Sequence, residues 1–347
     1  MRTRRAGAGL PVRVPNADAC PSAQRGRRCT ARRRVRTEAL GNPLTAVVAA
    51  VMCIAACSGS GDHAASSGGA VTKVVGVTLL TREQHFYQDL EAGVKDAAAR
   101  RGYRLVLTSG DFDLAKQQAQ IDNFVVQHVD AIIVCPVNSQ GIGPAIDRAT
   151  AAHIPVVSAD TKAVGTHVVA AVASDNRAGG QLAATYMVRA LGDSGAVAVI
   201  GQPETQTGLD RQQAFVDEIG RHPRMAVVAI LNGGGVRDRA LKAADDILQG
   251  HPELRGIFAI NDESALGALA AATTRGKTGA TFTIVGYDAT PEAVKAIKSH
   301  SSLKADVAQQ PRDIGERSID ALAAYFDHRP VDSVITVPVR VVDAETP

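Results

Sequence analysis

From residue 74 onward, short β-branched runs alternate with longer segments in which apolar residues recur every three or four positions. Strands separated by helices must be joined by crossovers, and crossovers build parallel sheets covered by helices on both faces. Segments 74–79, 104–108, 131–134 and 155–158 read as strands, with helices at 86–101, 114–127 and 142–152. A second series follows, with strands at 197–200, 226–231, 256–260 and 282–285 and helices at 177–191, 209–219, 237–249, 263–272 and 291–299. The expected fold class is therefore α/β, with two doubly wound parallel-sheet lobes in tandem. Open sheets of this kind bind ligands beyond the carboxyl ends of their strands. Function is expected in the loops that follow the strands, facing a cleft between the lobes.

Ahead of this body the chain changes character. Eleven arginines, opposed only by Asp18 and Glu38, precede an apolar run of thirteen residues, 44–56, that ends Ile54-Ala55-Ala56-Cys57. The run is well short of the roughly 20 residues that span a bilayer stably. A basic front followed by a short apolar segment reads as an export signal over residues 1–56. The small residues before Cys57 resemble the bacterial lipoprotein signal, in which the cysteine is acylated and becomes the new N-terminus. That resemblance implies lipidation of Cys57 and an extracytoplasmic protein anchored to the cell membrane. A secreted protein without lipid and a short buried helix are the readings left open. The basic front is longer than a signal needs, so a translation start near Val35 or Leu40 is expected. Residues 57–71, small and polar, read as a flexible tether.

Without residues 1–56, the chain carries 27 basic and 33 acidic residues, a net charge of −6. A mildly acidic body with dispersed cations has no electrostatic footprint for nucleic acid. Cys135 is the one thiol left after Cys57, so no internal disulfide is expected. The roughly 275 remaining residues are enough for two domains stabilised by core burial.

Little points to catalysis. No glycine-rich dinucleotide fingerprint and no Gly-x-Ser-x-Gly elbow occurs, and the histidines lack metal-ligand spacing. Asp111-Phe112-Asp113 lacks the later glycine and glutamate of a calcium loop and reads as an exposed turn. No enzyme activity, cofactor or metal is expected. The predicted strand ends instead carry Asp160, Asn261-Asp262 and Tyr287-Asp288. Carboxylates accept from adjacent hydroxyls and amides both donate and accept, a set that suits a polyhydroxylated ligand. Phe86, Tyr87 and Tyr287 offer aromatic faces for the C–H side of a ring.

Ile260-Asn261-Asp262-Glu263-Ser264-Ala265-Leu266-Gly267-Ala268-Leu269, Val285-Gly286-Tyr287-Asp288-Ala289-Thr290-Pro291, Val307-Ala308-Gln309-Gln310-Pro311 and Ala173-Ser174-Asp175-Asn176 occur in this chain. In these motifs it resembles the ribose-type periplasmic sugar-binding proteins, from about Val74 to Val339. The resemblance implies three crossovers between lobes, near Ala173, Gln309 and Val337, with a last helix at 313–326 returning to the first lobe. The lobes are then 72–173 with 310–336, and 174–309 with 337–347. It also implies polar ligand contacts from Asp160, Arg211, Asn261, Asp288 and Gln309, with Phe86, Tyr87 and Tyr287 as aromatic wall.

Departures from the ribose pattern bear on the ligand. Thr161 stands where ribose binders carry an arginine, Gly233-Gly234-Gly235 fills the region of a second stacking aromatic, and the loop Thr81-Arg82-Glu83-Gln84-His85 is more charged. A polyol, a cyclitol or another pentose or hexose is expected in place of ribose. The resemblance implies a monomer that delivers its ligand to the permease subunits of an ABC importer. A ligand-presenting sensor subunit and a sugar-responsive regulator are the alternatives, although the regulator needs a helix-turn-helix that residues 1–56 lack. Plainer roles are also open: Asn261-Asp262 as a helix cap, Arg211 as a solvated helix charge, and Phe86 or Tyr87 as core. Alanine at Asp288 or Arg211 is expected to abolish binding and leave the unfolding of the empty protein nearly unchanged.

Overall fold

The computed structural model describes residues 72–346, within one compact unit of residues 67–347. The export signal, Cys57 and the whole tether region, 57–71, lie outside the described residues. In chain order the first series is β1 (Val74–Leu79), α1 (His85–Arg100), β2 (Arg104–Ser109), α2 (Leu114–Val126), β3 (Ala131–Val134), α3 (Gly143–Ala151), β4 (Val156–Ala159) and β5 (Ala170–Ser174). The second is α4 (Asn176–Leu191), β6 (Gly195–Gly201), α5 (Gln206–Ile219), β7 (Met225–Asn232), α6 (Arg237–Gly250), β8 (Gly256–Ala259), α7 (Asp262–Thr274), β9 (Thr283–Asp288), α8 (Pro291–Lys298) and β10 (Leu303–Ala308). The chain closes with α9 (Pro311–Phe326), β11 (Val334–Val337) and β12 (Arg340–Asp343).

Two six-stranded sheets result, ordered β11-β5-β4-β3-β1-β2 and β12-β10-β9-β8-β6-β7. Every pairing is parallel except β10 with β12. Side chains alternate across a strand, and each sheet has a core on both faces. Val75, Val77 and Leu79 pack under α1 and α9, whereas Ile132 and Val134 pack against Phe124 and Ile146 of α2 and α3. In the second lobe Phe215 stacks on Phe258, ring centroids 4.5 Å apart, on the α4–α5 side. Ile257, Ile284 and Leu303 face α6, α7 and α8.

Four helices start where a polar side chain satisfies a free N–H group. Asp113 accepts from Lys116 N, Asp175 from Ala178 N, Thr205 from Gly208 N and Asn261 from Ser264 N. Proline opens α8 and α9, where its missing N–H costs nothing.

The expected alternation is present, but four strands were not anticipated as elements: β5, β10, β11 and β12. Alanine dominates β5, which weakens its β signal. β10 carries a buried aspartate, Asp306, and β11 and β12 are edge strands with little apolar alternation. These four flank the three crossings between lobes: β5 to α4, β10 to α9, and β11 to β12. The crossings are tied together, Asp175 N donating to Val337 O at 3.0 Å and Gln310 Nε2 to Pro338 O at 3.0 Å. No helix of the described residues is long and apolar enough to cross a membrane.

Candidate functional site

Seven of the eight residues expected at a site surround one cavity between the lobes. Phe86 and Tyr87, at the start of α1, and Asp160, just past β4, come from the first lobe. Arg211 of α5, Asn261 before α7 and Asp288 ending β9 come from the second, and Gln309 lies in the crossing after β10. The space between them open to the centre of a water-sized sphere is about 30 Å³, so the walls of the two lobes stand close together.

Phe86 and Tyr87 meet edge to face, centroids 5.1 Å apart. Both also belong to the first lobe's core, so core and cavity wall are not alternatives here. The Tyr87 hydroxyl donates to Asp160 Oδ2 at 2.8 Å, and Thr161 Oγ1 donates to the same oxygen at 3.3 Å. Burial pushes the Asp160 carboxyl above its ordinary range, opposed by the Arg211 charge and by these two donors. Asp160 has φ +63° and Asp288 +122°, sparsely populated conformations of the kind that cluster at binding sites.

Arg211 is 5 % exposed, which removes the solvated-charge reading. Its Nε donates to Asn176 Oδ1 at 2.7 Å, its Nη1 donates to Ile260 O at 2.8 Å, and it stands 3.8 Å from Asp288 Oδ1. Asp288 Oδ1 also accepts from Gln309 Nε2 at 2.6 Å, and the Gln309 side-chain oxygen is left without a partner. Burial, and then the Asp262 charge, push Asp288 well up, against the pull of Arg211. Asn261 serves two purposes: Oδ1 caps α7, and Nδ2 donates to Gly235 O at 3.0 Å.

Tyr287 departs from expectation. It is fully buried and does not line the cavity; its ring lies beneath Arg211, with the guanidinium carbon 3.7 Å from the ring centroid. Neighbours on a strand point to opposite faces, so with Asp288 turned to the cavity, Tyr287 must turn away. That period-two rule was available in the sequence.

Several lining residues were not anticipated: Leu80, Gln84, Phe112, Gln202, Thr205 and Thr207. The Asp111-Phe112-Asp113 turn is not merely exposed, since Phe112, at φ +63°, lines the cavity. In the charged loop, Arg82 turns away to pair with Glu91 at 2.6 Å. Gln84 turns inward, donating to Gly235 O at 2.8 Å across the lobes. Thr161, in place of the arginine, meets Thr207 of the other lobe at 2.9 Å between hydroxyl oxygens. Ser139 N donates to Glu204 O at 2.9 Å and Gln206 N to Ser139 Oγ at 2.8 Å, so direct bonds join the lobes.

Two buried carboxyls, one guanidinium and several amides and hydroxyls around a small cavity can hold a compact molecule rich in hydroxyl groups. Burial pushes the Cys135 thiol up, away from the thiolate a nucleophile requires. Among the described residues no three His, Cys, Asp or Glu side chains are grouped to hold a metal ion.

Residues 75–330 match the model of the periplasmic binding protein domain family. The chain is 31 % identical over 276 residues to the ribose import binding protein of Bacillus subtilis, covering 79 % of this chain and 88 % of that protein. Its fold is similar to an ABC transporter solute-binding protein of Bacillus halodurans solved with bound myo-inositol, at TM-score 0.74 and 26 % identity, covering 80 % of this chain and 97 % of that one. A periplasmic solute-binding protein of Actinobacillus succinogenes with bound D-allose is similar at TM-score 0.73 and 26 % identity, covering 79 % and 99 %. By these matches and by its own geometry, the chain belongs to the periplasmic binding protein family, in its ribose-type sugar-binding branch.

Proposed function

We propose that this protein captures one sugar or sugar-like polyol outside the cytoplasm and delivers it to an ABC importer. The observation that carries the reading is the convergence of Asp160 from one lobe with Arg211, Asn261 and Asp288 from the other on a single small cavity. A ligand held by both sets stabilises the closed form over an open one, so binding shifts the population toward closure. Closed lobes are then what the permease recognises. The division into lobes 72–173 with 310–336 and 174–309 with 337–347 is part of this reading, supported by the two sheets. So is a monomer anchored through acylated Cys57, with residues 57–71 as tether; the basic front and the apolar run of the sequence support it.

In the proposed site Asp160, Asp288 and Gln309 accept from ligand hydroxyls, Arg211 and Asn261 donate to ligand oxygens, and Phe86 covers a C–H face. Relatives named for ribose and solved with myo-inositol and D-allose define the class to be searched. A thermal-shift screen of the purified protein against pentoses, hexoses, polyols and cyclitols tests the reading, because a ligand that binds only the folded state raises its melting temperature. A rise confined to one stereochemical class is the expected outcome. No shift with any member would sink it.

A further inference from the structure

Beneath the cavity lie two acids with no role in the contacts above. Asp262, first residue of α7, and Asp306, in β10, are 1 % and 0 % exposed. Each spends one oxygen on the loop that follows β9: Asp262 Oδ2 accepts from Thr290 N at 2.6 Å, and Asp306 Oδ1 accepts from Ala289 N at 3.2 Å. Two consecutive N–H groups are thus held by two different acids. The loop so held carries Asp288, at φ +122°, and Ala289, at φ +59°, backbone conformations that need external support.

The remaining oxygens, Asp262 Oδ1 and Asp306 Oδ2, are buried without a donor. Both crowd the Cα of Gly286, where an added Cβ would stand 3.1 Å from the first and 2.7 Å from the second. A side chain at Gly286 would therefore push into both acids.

Among the described residues neither acid is in a salt bridge. Asp288 faces the pair from the end of β9, with Arg211 of α5 3.8 Å behind it and Asp160 of the first lobe beyond. Tyr287 of β9, Lys304 of β10, Lys295 of α8 and Arg340 of β12 lie on the surrounding elements without an ion pair to either acid. Glu263 of α7 and Glu292 of α8 are taken up by Arg237. Two carboxylates cannot both be ionised side by side in such a setting, and one proton between them turns repulsion into a hydrogen bond.

We infer that Asp262 and Asp306 share a single proton and act as positioning residues, clamping the Ala289–Thr290 amides so that Asp288 is presented to the ligand. Its part in capture rests on the sugar-binding reading, but the pair is testable on the empty protein, so the two fail separately. Burial holds Asp306 up to about 7 and Asp262 well above the ordinary range, with the Asp306 charge adding to it. An acid that binds its proton more tightly when folded favours folding at low pH. That contribution fades as pH rises from about 4, where the unfolded acid ionises, toward 7.

In Asp306→Asn an amide donates to Asp262 without needing a proton. The melting temperature of the native protein relative to Asp306→Asn is therefore expected to fall by on the order of 5 °C between pH 4 and 8; parallel profiles would overturn the shared proton. If Asp306→Asn does not fold, Asp262→Asn gives the same comparison. For the clamp, Asp306→Ala removes the acceptor of Ala289 N. Amide exchange at Ala289, followed by NMR without ligand, is expected to quicken at least about tenfold in Asp306→Ala and to stay slow in Asp306→Asn. Equal exchange in both variants would overturn the positioning role.

Discussion

The Arg211 guanidinium lies 3.7 Å from the centroid of the Tyr287 ring, an aromatic floor that fixes the cation's plane and leaves its upper face to the cavity. A stacked, planar donor of this kind is not interchangeable with lysine. Tyr287 thus supports Arg211 without itself lining the cavity.

Arg211→Ala is expected to abolish binding and also to destabilise the empty protein by about 3 kcal/mol, because Asn176 Oδ1 and Ile260 O lose their donor and Asp288 its cation. The sequence alone led to nearly unchanged unfolding for this variant; burial of the arginine reverses that expectation. Asp288→Ala differs, since it removes a carboxyl that is costly to bury. Its melting point should fall less than that of Arg211→Ala, since Gln309 Nε2 loses an acceptor and Arg211 an anion, while affinity falls at least about tenfold. Calorimetric titration with a sugar found in the screen, beside thermal denaturation, checks both. Native-like affinity in either variant would refute the site.

Affinity should weaken as pH is lowered from 7 toward 4. Burial raises Asp160 and Asp288 in the empty site by depriving their ionised forms of water. Ligand hydroxyls give hydrogen bonds back to those ionised forms, so binding releases protons and is favoured by higher pH across this range. A titration series that showed pH-independent affinity would mean that these carboxyls do not accept from the ligand.

Thr161 and Thr207 join the lobes directly. Thr207→Val keeps shape and removes the bond, which should weaken closure by about 1 kcal/mol. Small-angle scattering should then report a more open empty protein, with a smaller change once ligand is bound. Identical scattering from native and variant proteins would show that this bond does not bias the lobes.

Gly179, in the first turn of α4, faces the Tyr287 hydroxyl so closely that a Cβ would overlap it. Alanine normally stabilises a helix relative to glycine. Here Gly179→Ala should cost about 1–3 kcal/mol through overpacking, seen as a lower melting temperature. A rise would show that the ring moves freely, and would remove the support assigned to Arg211.

Periodicity made most of the fold legible, and 74–79 and 131–134 coincide with β1 and β3. It failed at β5, β10, β11 and β12, where alanine, a buried acid or an edge position blurs the pattern. The polar residues Asp160, Asn261 and Asp288 could be placed because each follows an apolar strand. Phe112, Gln202, Thr205 and Thr207 could not, since they reach the cavity through turns and helix starts that carry no repeat.

The amino-acid sequence by itself determined the two series of strands and helices, the lobes they imply and the strand ends at which polar groups gather, because these follow from local spacing and from where burial ends. Only the tertiary structure decided that Tyr287 supports Arg211 from below, that Thr161 meets Thr207, and that Asp262 and Asp306 close on one glycine. Those relationships join residues far apart in the chain. They exist because packing brings polar groups out of water, where each must find a partner from another element.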